Sequence, residues 1–215
     1  MLKILTLLTK IKLQNGMLMK AQNDKNLLLL KECLQKEVMM NTKPFSWSSV
    51  IHKAVKCPKR RYYFWWRIAS YWYQNKTGVL KQAALRINRK LTLKYGTEIE
   101  LGARILPGLV ITHHQGIVIN GSAVIGHSFR IRQNTTIGIT GINPSKLPIS
   151  IKIGNNVSIG ANSCIIADQI VIGDNVVIGA MSFINKDLPD NSNVITEKTL
   201  KITIRQPELQ DSMAE

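Results

Sequence analysis

The sequence predicts a mainly β fold, in which a parallel β-helix of hexapeptide repeats follows an α-helical N-terminal region. One observation behind this prediction is an isoleucine that recurs every six residues within three runs. The other is that the first 95 residues lack the repeat and have apolar residues at helical spacing. The repeating isoleucines are Ile125, Ile131, Ile137, Ile153, Ile159, Ile165, Ile172, Ile178 and Ile184. Their period is too short for a helical repeat or a propeller blade.

Each hexapeptide is expected to form one short strand and one corner, and three of them complete a triangular coil. The isoleucine fills the inside of the coil and stacks on its equivalent in the next coil, which suits a β-branched side chain. Corners need residues that tolerate positive φ, which explains Gly-Asn-Asn at 154–156, Gly-Ala-Asn at 160–162 and Gly-Asp-Asn at 173–175. The alternative, an isoleucine-rich β-sandwich, would have longer strands and no strict short period.

The N-terminal region is predicted to be helical because apolar residues recur at helical spacing in two segments. These residues are Leu27, Leu30, Leu34 and Val38 in the first segment and Leu80, Ala84, Ile87 and Leu91 in the second. Residues 1–25 have little pattern and are expected to be disordered or loosely docked. The chain therefore divides into a basic helical region (1–95), a β-helix domain (96–195) and a C-terminal tail (196–215).

An aromatic segment at residues 61–73 lies between the two helical patterns. One interpretation is an interfacial aromatic belt beside Lys59, Arg60 and Arg61. The interpretation that we favour is a helix that buries its rings against the first coil or a neighbouring subunit, because aromatic side chains act mostly as packing anchors. Such a helix would also cover the open strand edges at the end of a β-helix.

The net charge of +16 belongs to the helical region alone. Residues 1–95 contain 20 Lys and Arg against 3 Asp and Glu, whereas residues 96–215 contain 9 against 10. The basic region is compatible with an anionic membrane surface, an acidic glycan or lipid-linked phosphate, nucleic acid, or simply a solvated helical face. No nucleic-acid-binding motif accompanies the charge, so we expect no nucleic-acid partner.

The cysteine pattern favours a reducing compartment. Cys33, Cys57 and Cys164 form no CxxC motif and leave one cysteine unpaired. The first sixteen residues lack the long apolar core and the cleavage site of a signal peptide. We expect a cytoplasmic protein, and the basic region leaves open a peripheral association with the inner membrane.

Two interruptions of the repeat are the candidate functional segments. Ile111 and Ile119 are eight residues apart rather than six, and sixteen residues separate Ile137 from Ile153. Such insertions project from a corner of a solenoid and often carry function. The first contains His113, and a histidine is a suitable general base for a hydroxyl nucleophile. Glu98 precedes it by about one coil, so its carboxylate could orient the imidazole; the alternative is a polar turn with a solvated histidine.

The sequence resembles the serine acetyltransferase family and its polysaccharide-modifying relatives in segments 95–101, 105–120, 135–141 and 153–161. Among these relatives, the colanic-acid O-acetyltransferase type is the most similar. The resemblance covers roughly residues 60–200. It implies a left-handed β-helix, a homotrimer, and acetyl-CoA as co-substrate in the groove between adjacent β-helices, with no metal.

The resemblance also implies roles for individual residues. His113 would be the general base, and Glu98 would hold it at a position where most family members have Asp. His114 and Lys146 would contact the acceptor. The acetyl-CoA contacts would come from Gly160, Ala161, Gly179, Ala180 and Lys186.

The expected function is transfer of acetyl from acetyl-CoA to a sugar hydroxyl in bacterial surface polysaccharide biosynthesis, with a saccharide as acceptor. The alternative is serine O-acetylation in cysteine biosynthesis. Leu147 favours the sugar, because the family has a substrate-binding histidine at this point of the second insertion.

Two other classes of protein are disfavoured. Carbonic anhydrases built from a similar repeat need a His-x4-His zinc pair, and here the fifth residue after His127 is Arg132. A non-catalytic scaffold would have no need of insertions around a histidine.

Overall fold

The computed structural model describes residues 21–141, 148–197, 199 and 202–203. The expectation of disorder for residues 1–25 falls mostly outside this range, as does most of the predicted tail. Helix α1 covers residues 21–34 and continues as a π-helical turn, Gln35–Met39. The next three helices are α2 (Trp47–Lys56), α3 (Pro58–Asn75) and α4 (Gly78–Tyr95). Within the described residues, no helix is both long and apolar enough to cross a membrane.

Fourteen short strands follow in the described part of the chain. They are β1 (Thr97–Ile99), β2 (Arg104–Ile105), β3 (Val110–Ile111), β4 (Ile117–Ile119), β5 (Ala123–Ile125), β6 (Arg130–Ile131), β7 (Thr136–Gly138), β8 (Ser150–Ile153), β9 (Ser158–Ile159), β10 (Cys164–Ile166), β11 (Gln169–Ile172), β12 (Val177–Ile178), β13 (Phe183–Ile184) and β14 (Asn193–Val194). They form three parallel sheets, in the orders β1-β4-β7-β10-β13, β2-β5-β8-β11 and β3-β6-β9-β12-β14.

The register between coils confirms the predicted parallel β-helix of hexapeptide repeats. In the first sheet each isoleucine pairs with its equivalent one coil further on, and all of them are buried. This column consists of Ile99, Ile119, Ile137, Ile165 and Ile184. The repeat therefore begins at Ile99, upstream of the regular run from Ile125 to Ile184.

Positive φ occurs within the predicted corner triplets, and the structure shows which of their residues adopt it. Positive φ falls on the asparagines that end the three-residue runs, such as Asn156 and Asn175, rather than on the glycines that begin them. These asparagines also form ladders, since the Asn156 amide donates to Asn175 Oδ1 over 3.0 Å. Gly160 is required for a different reason, because a Cβ there would lie 2.4 Å from the backbone nitrogen of Ala180 in the next coil.

We expect Gly160→Ala to lower the free energy of unfolding by about 1–3 kcal/mol, the usual cost of overpacking a well-filled site. Gly138→Ala is the matched control, because the added Cβ would meet Ile166 and Thr136 at ordinary contact distances of 3.4 and 3.5 Å. Urea unfolding of both variants measures the difference. Equal stability of the two variants would contradict the role of Gly160 in coil stacking.

The aromatic segment forms α3 and covers the open end of the β-helix, which confirms the packing interpretation. Tyr62, Trp66 and Ala69 are buried in the same hydrophobic core as Ile99 and Leu101. The indole nitrogen of Trp66 donates to the Ile99 carbonyl over 3.2 Å. The rings of Tyr62 and Trp66 are therefore part of the core, while Trp65 on the same helix is 41% exposed.

A buried ion pair joins the helices to the first coil. The Arg67 guanidinium donates to both carboxylate oxygens of Glu37, over 2.8 and 2.6 Å, and to the Ile105 carbonyl over 2.6 Å. Glu37 Oε1 also accepts hydrogen bonds from the backbone nitrogens of Gly108 and Leu109, at 3.0 and 2.9 Å. Both side chains are almost fully shielded from solvent. The pair thus fixes the π-helical turn and α3 against the corner between β2 and β3.

Candidate functional site

The histidine bulge lies between β3 and β4, at the corner that joins the third sheet to the first. Gly116 has a φ of +69°, and its backbone nitrogen donates to the Gly96 carbonyl over 2.8 Å. This turn returns the chain to the first sheet after the two extra residues. The His113 side chain is exposed. It is therefore open to a substrate on the outside of this corner.

His114 is held against the helical region. Its ring centroid lies 4.6 Å from that of Tyr62, 5.2 Å from that of Tyr95 and 6.4 Å from that of Tyr63. The Thr97 hydroxyl lies 3.1 Å from His114 Nδ1 and donates to the His114 carbonyl. The structure thus gives His114 a packing position, and its predicted contact with the acceptor stays a prediction.

The start of the bulge is fixed by α3 as well. The Tyr63 hydroxyl accepts a hydrogen bond from the Ile111 backbone nitrogen over 2.8 Å. Burial raises the pKa of Tyr63 to about 12, so the hydroxyl remains protonated near neutral pH. Because Ile111 and His114 are both anchored, the position of His113 between them depends on the helical region. The clue in the sequence is the density of aromatic residues, although their partners cannot be predicted from it.

Burial also lowers the pKa of His114 below the usual value of 6.5. A lowered pKa in the folded protein means that the neutral ring stabilises the fold fully above pH 6.5, and that this stabilisation is lost as the pH falls through the folded pKa. We expect acid destabilisation between about pH 7 and about pH 5 to be smaller in His114→Gln than in the wild type. Urea unfolding across this range, with the exposed His52→Gln as control, measures the effect. An unchanged pH dependence in His114→Gln would contradict the assignment.

Glu98 lies on β1, next to the residue that binds His114. Its side chain is exposed, and its partner in the ladder is Val118 of β4. Because Thr97 contacts His114, Glu98 and His113 lie on neighbouring segments. Among the described residues, however, no hydrogen bond joins the two side chains. The predicted orienting contact between them stays a prediction.

Four of the predicted acetyl-CoA contacts lie along the same corner as His113. Gly160 and Ala161 connect β9 to β10, and Gly179 and Ala180 connect β12 to β13, so each pair joins the third sheet to the first. These turns stand two and three coils from the bulge, roughly 10–15 Å along the axis at strand spacing. All four residues are small and partly or fully accessible. They form a track of small side chains on two successive coils of this corner, and the turn between the track and the bulge carries the larger Arg132 and Gln133.

The remaining predicted site residues lie elsewhere. Lys186 is exposed and follows β13, at the corner between the first and second sheets. The second insertion leaves at this same corner, between β7 and β8. Lys146 and Leu147 of that insertion lie outside the described residues. The two insertions therefore flank the first sheet on opposite edges. Within the described residues, no group of three or more His, Cys, Asp or Glu side chains is placed to hold a metal ion.

The fold and this corner place the chain among the hexapeptide-repeat β-helix proteins that carry an N-terminal helical region. The solved structures that it resembles include serine acetyltransferases. With isoform 3 from Entamoeba histolytica the TM-score is 0.62 at 24% identity, over 87% of this chain and 64% of that one. With the Neisseria gonorrhoeae enzyme the TM-score is 0.64 at 24% identity, over 86% and 71%. At this level of identity the likeness concerns the fold.

Curated relatives with the same name match part of the sequence. The serine acetyltransferase of Synechococcus elongatus is 36% identical over 80 residues, which is 37% of this chain and 32% of that protein. The chloroplastic serine acetyltransferase 1 of Arabidopsis thaliana is 36% identical over 70 residues, 33% of this chain and 21% of that protein. The match thus spans a third or less of the curated relatives. No family model matches the chain.

These matches bear on the resemblance drawn from the sequence. They support the likeness to serine acetyltransferases, in sequence over the matched segment and in fold over most of the chain. They do not support the closer likeness to the colanic-acid type, because the relatives and structures described above are all serine acetyltransferases. A period of six residues is common to both types, so the repeat could not distinguish them.

Proposed function

We propose that this protein is an acetyl-CoA-dependent O-acetyltransferase whose acceptor is L-serine. The observation that carries the proposal is the exposed His113 on the same corner as a track of small residues, in a fold that serine acetyltransferases share. The saccharide acceptor expected from the sequence has no support in the comparisons. Serine and a sugar both present a hydroxyl, so the chemistry at His113 is the same for either.

The mechanism needs one base and no covalent enzyme intermediate. The imidazole of His113 takes the proton of the acceptor hydroxyl while its oxygen attacks the thioester carbonyl carbon. A C–O bond forms, the C–S bond then breaks, and the imidazolium returns the proton to the departing thiolate. The Glu98 carboxylate would stabilise the imidazolium, as the acid of a catalytic triad does. The products are the O-acetyl ester and CoA.

Acetyl-CoA would lie along this corner. Gly160, Ala161, Gly179 and Ala180 would hold the extended pantetheine arm, because the short side chains let a ligand approach the backbone. The chemistry supplied by acetyl-CoA is an activated acyl group on a thiol leaving group. Lys186 stands at another corner of the same chain, so a contact with this ligand would come from a neighbouring subunit.

The acceptor is tested by measuring CoA release from acetyl-CoA with L-serine and, separately, with a panel of sugars and capsule oligosaccharides. Turnover on serine that is lost in His113→Ala supports the proposal. Turnover on a saccharide alone would overturn serine as acceptor and leave the acetyltransferase in place. The absence of acceptor-dependent CoA release with every compound would overturn the proposed activity itself.

A homotrimer is part of the proposal, since a shared groove would complete the site. The apolar side chains of Val118 and Phe183 on the first sheet, and of Val110 and Val177 on the third, are exposed beside the corner. A neighbouring β-helix would cover them. We expect light scattering to give three times the chain mass of 24.2 kDa at all protein concentrations tested. A monomer would contradict the shared groove.

The cytoplasmic location expected from the sequence stays a prediction.

A further inference from the structure

The helical region has an unbalanced positive surface. The sixty residues between Glu37 and Glu98 contain thirteen Lys and Arg and no Asp or Glu. One of the thirteen, Arg67, is buried with Glu37, and this is the one ion pair in the described part of the chain. The other cations are therefore left without a carboxylate from the described residues. Lys43, Lys56 and Lys59, which flank or end α2, are exposed.

Helix α2 adds an apolar stripe to this positive surface. Trp47, Ile51 and Val55 stand four residues apart on one face, and they are 39%, 50% and 64% exposed. The adjacent face is already occupied, because Val50 and Ala54 are buried in the cluster formed with the π-helical turn. We call the three exposed residues the α2 stripe. On the stripe itself, the Trp47 ring meets the Phe45 ring edge-on at 5.1 Å between centroids, and much of the surface of the three side chains remains exposed.

We propose that the α2 stripe docks this protein on an anionic lipid surface. Apolar and aromatic side chains of an interfacial helix enter the boundary between headgroups and acyl chains, and flanking cations pair with lipid phosphates. The stripe and its lysines match both requirements. Nucleic acid would engage the cations but leave three apolar side chains without use. An apolar protein partner would leave the excess positive charge uncompensated.

The site of acetyl transfer is separate from this surface. Helix α2 packs on α3 and on the π-helical turn. His113 and the track of small residues lie on the β-helix, beyond α3. Docking through α2 is therefore compatible with an open site, and the inference stands independently of the acceptor.

Vesicle co-sedimentation tests the proposal on the full-length chain. The probes are vesicles of phosphatidylcholine alone and of phosphatidylcholine mixed with phosphatidylglycerol. We expect binding to the mixed vesicles, weakened by salt, and little binding to phosphatidylcholine alone. The variant Trp47→Ser/Ile51→Ser/Val55→Ser is expected to bind at least about tenfold more weakly, because it loses the inserting groups. Lys56→Gln/Lys59→Gln is expected to bind more weakly and with less dependence on salt.

The matched control is Leu85→Ser/Leu93→Ser on α4, where two apolar residues beside cations are 44% and 78% exposed. It is expected to bind like the wild type. Equal binding by the stripe variant and this control would overturn the proposal. A stripe variant that differs from the wild type in oligomeric mass without vesicles would assign the stripe to contacts between copies. Tight binding of a DNA duplex that depends on the lysines, without vesicle binding, would assign the charge to nucleic acid.

Two further measurements separate a loss of vesicle binding from a loss of folding or of activity. Circular dichroism of each variant checks that the helices remain folded, since the substituted side chains are exposed. CoA release with soluble substrates is expected to be unchanged in the stripe variant, because α2 lies outside the proposed site. If the stripe variant loses vesicle binding but keeps its activity, the stripe serves docking and not catalysis. If the stripe variant still binds vesicles, docking through the stripe is overturned, whatever its activity.

Discussion

Replacing His113 with alanine is expected to lower the rate of acetyl transfer by about 10²–10⁴-fold, the usual contribution of a general base. The reason is that a serine or sugar hydroxyl is a poor nucleophile unless its proton is removed as it attacks. His113 is exposed at the bulge, on the same corner as the track that would hold acetyl-CoA. The measurement is kcat for CoA release at saturating acetyl-CoA. We expect kcat to fall and the KM for acetyl-CoA to change little.

His127→Ala is the control for this experiment. His127 is also exposed but stands between β5 and β6, at the corner between the second and third sheets. Its removal is expected to leave kcat unchanged. Glu98→Gln separates the two roles at the site, because it should lower kcat less than His113→Ala does. If His113→Ala retained the kcat of His127→Ala, the base would have to be sought elsewhere on the corner.

The fold could be predicted almost completely, because a β-helix repeats one local rule. Every isoleucine from Ile125 to Ile184 that the period selects is buried in the structure. Local repetition also made the interruption near His113 visible, since eight residues stand where six are expected. The first coil at Ile99 was harder to recognise, because the helices precede it and the bulge breaks the run that follows.

Contacts across long sequence separations could not be predicted. The ring of His114 packs on tyrosines about fifty residues earlier in α3, and Arg67 finds its carboxylate thirty residues away. Neither pairing has a periodic signature, because each depends on where α3 crosses the first coil. Over a short separation, Lys186 stands at a different corner from Gly179, although both are predicted acetyl-CoA contacts. The corner at which a residue lies follows from its position within the hexapeptide repeat, and not from its distance to a neighbouring site residue alone.

The acceptor shows how little a single residue says about the substrate. Leu147 favoured a sugar because it replaces a histidine expected in serine enzymes, but one position in a long insertion is a weak guide to a substrate. The matched segment and the fold draw on many positions, and both point to serine acetyltransferases. The rule that predicts the fold concerns the residues that recur in every coil, so it carries no information about which side chains bind the acceptor.

Glu37→Ala is expected to lower the free energy of unfolding by about 3–5 kcal/mol, the usual cost of removing one partner from a buried ion pair. The substitution leaves the Arg67 guanidinium buried with only backbone carbonyls as acceptors. It also removes the acceptor for the backbone nitrogens of Gly108 and Leu109. Urea unfolding measures the loss, and Glu32→Ala on the exposed side of α1 is the matched control.

A double variant distinguishes the charge from the contact. In Glu37→Leu/Arg67→Met both charges are removed, so no uncompensated ion remains in the interior, and replacing a buried pair by apolar residues is often close to neutral. We expect this variant to be more stable than Glu37→Ala, with a clear coupling energy between the two positions. If the double variant were as unstable as the sum of the single variants, the two side chains would act independently. The helices would then be held to the first coil chiefly by the apolar contacts of Tyr62 and Trp66, which bury their rings in the same core.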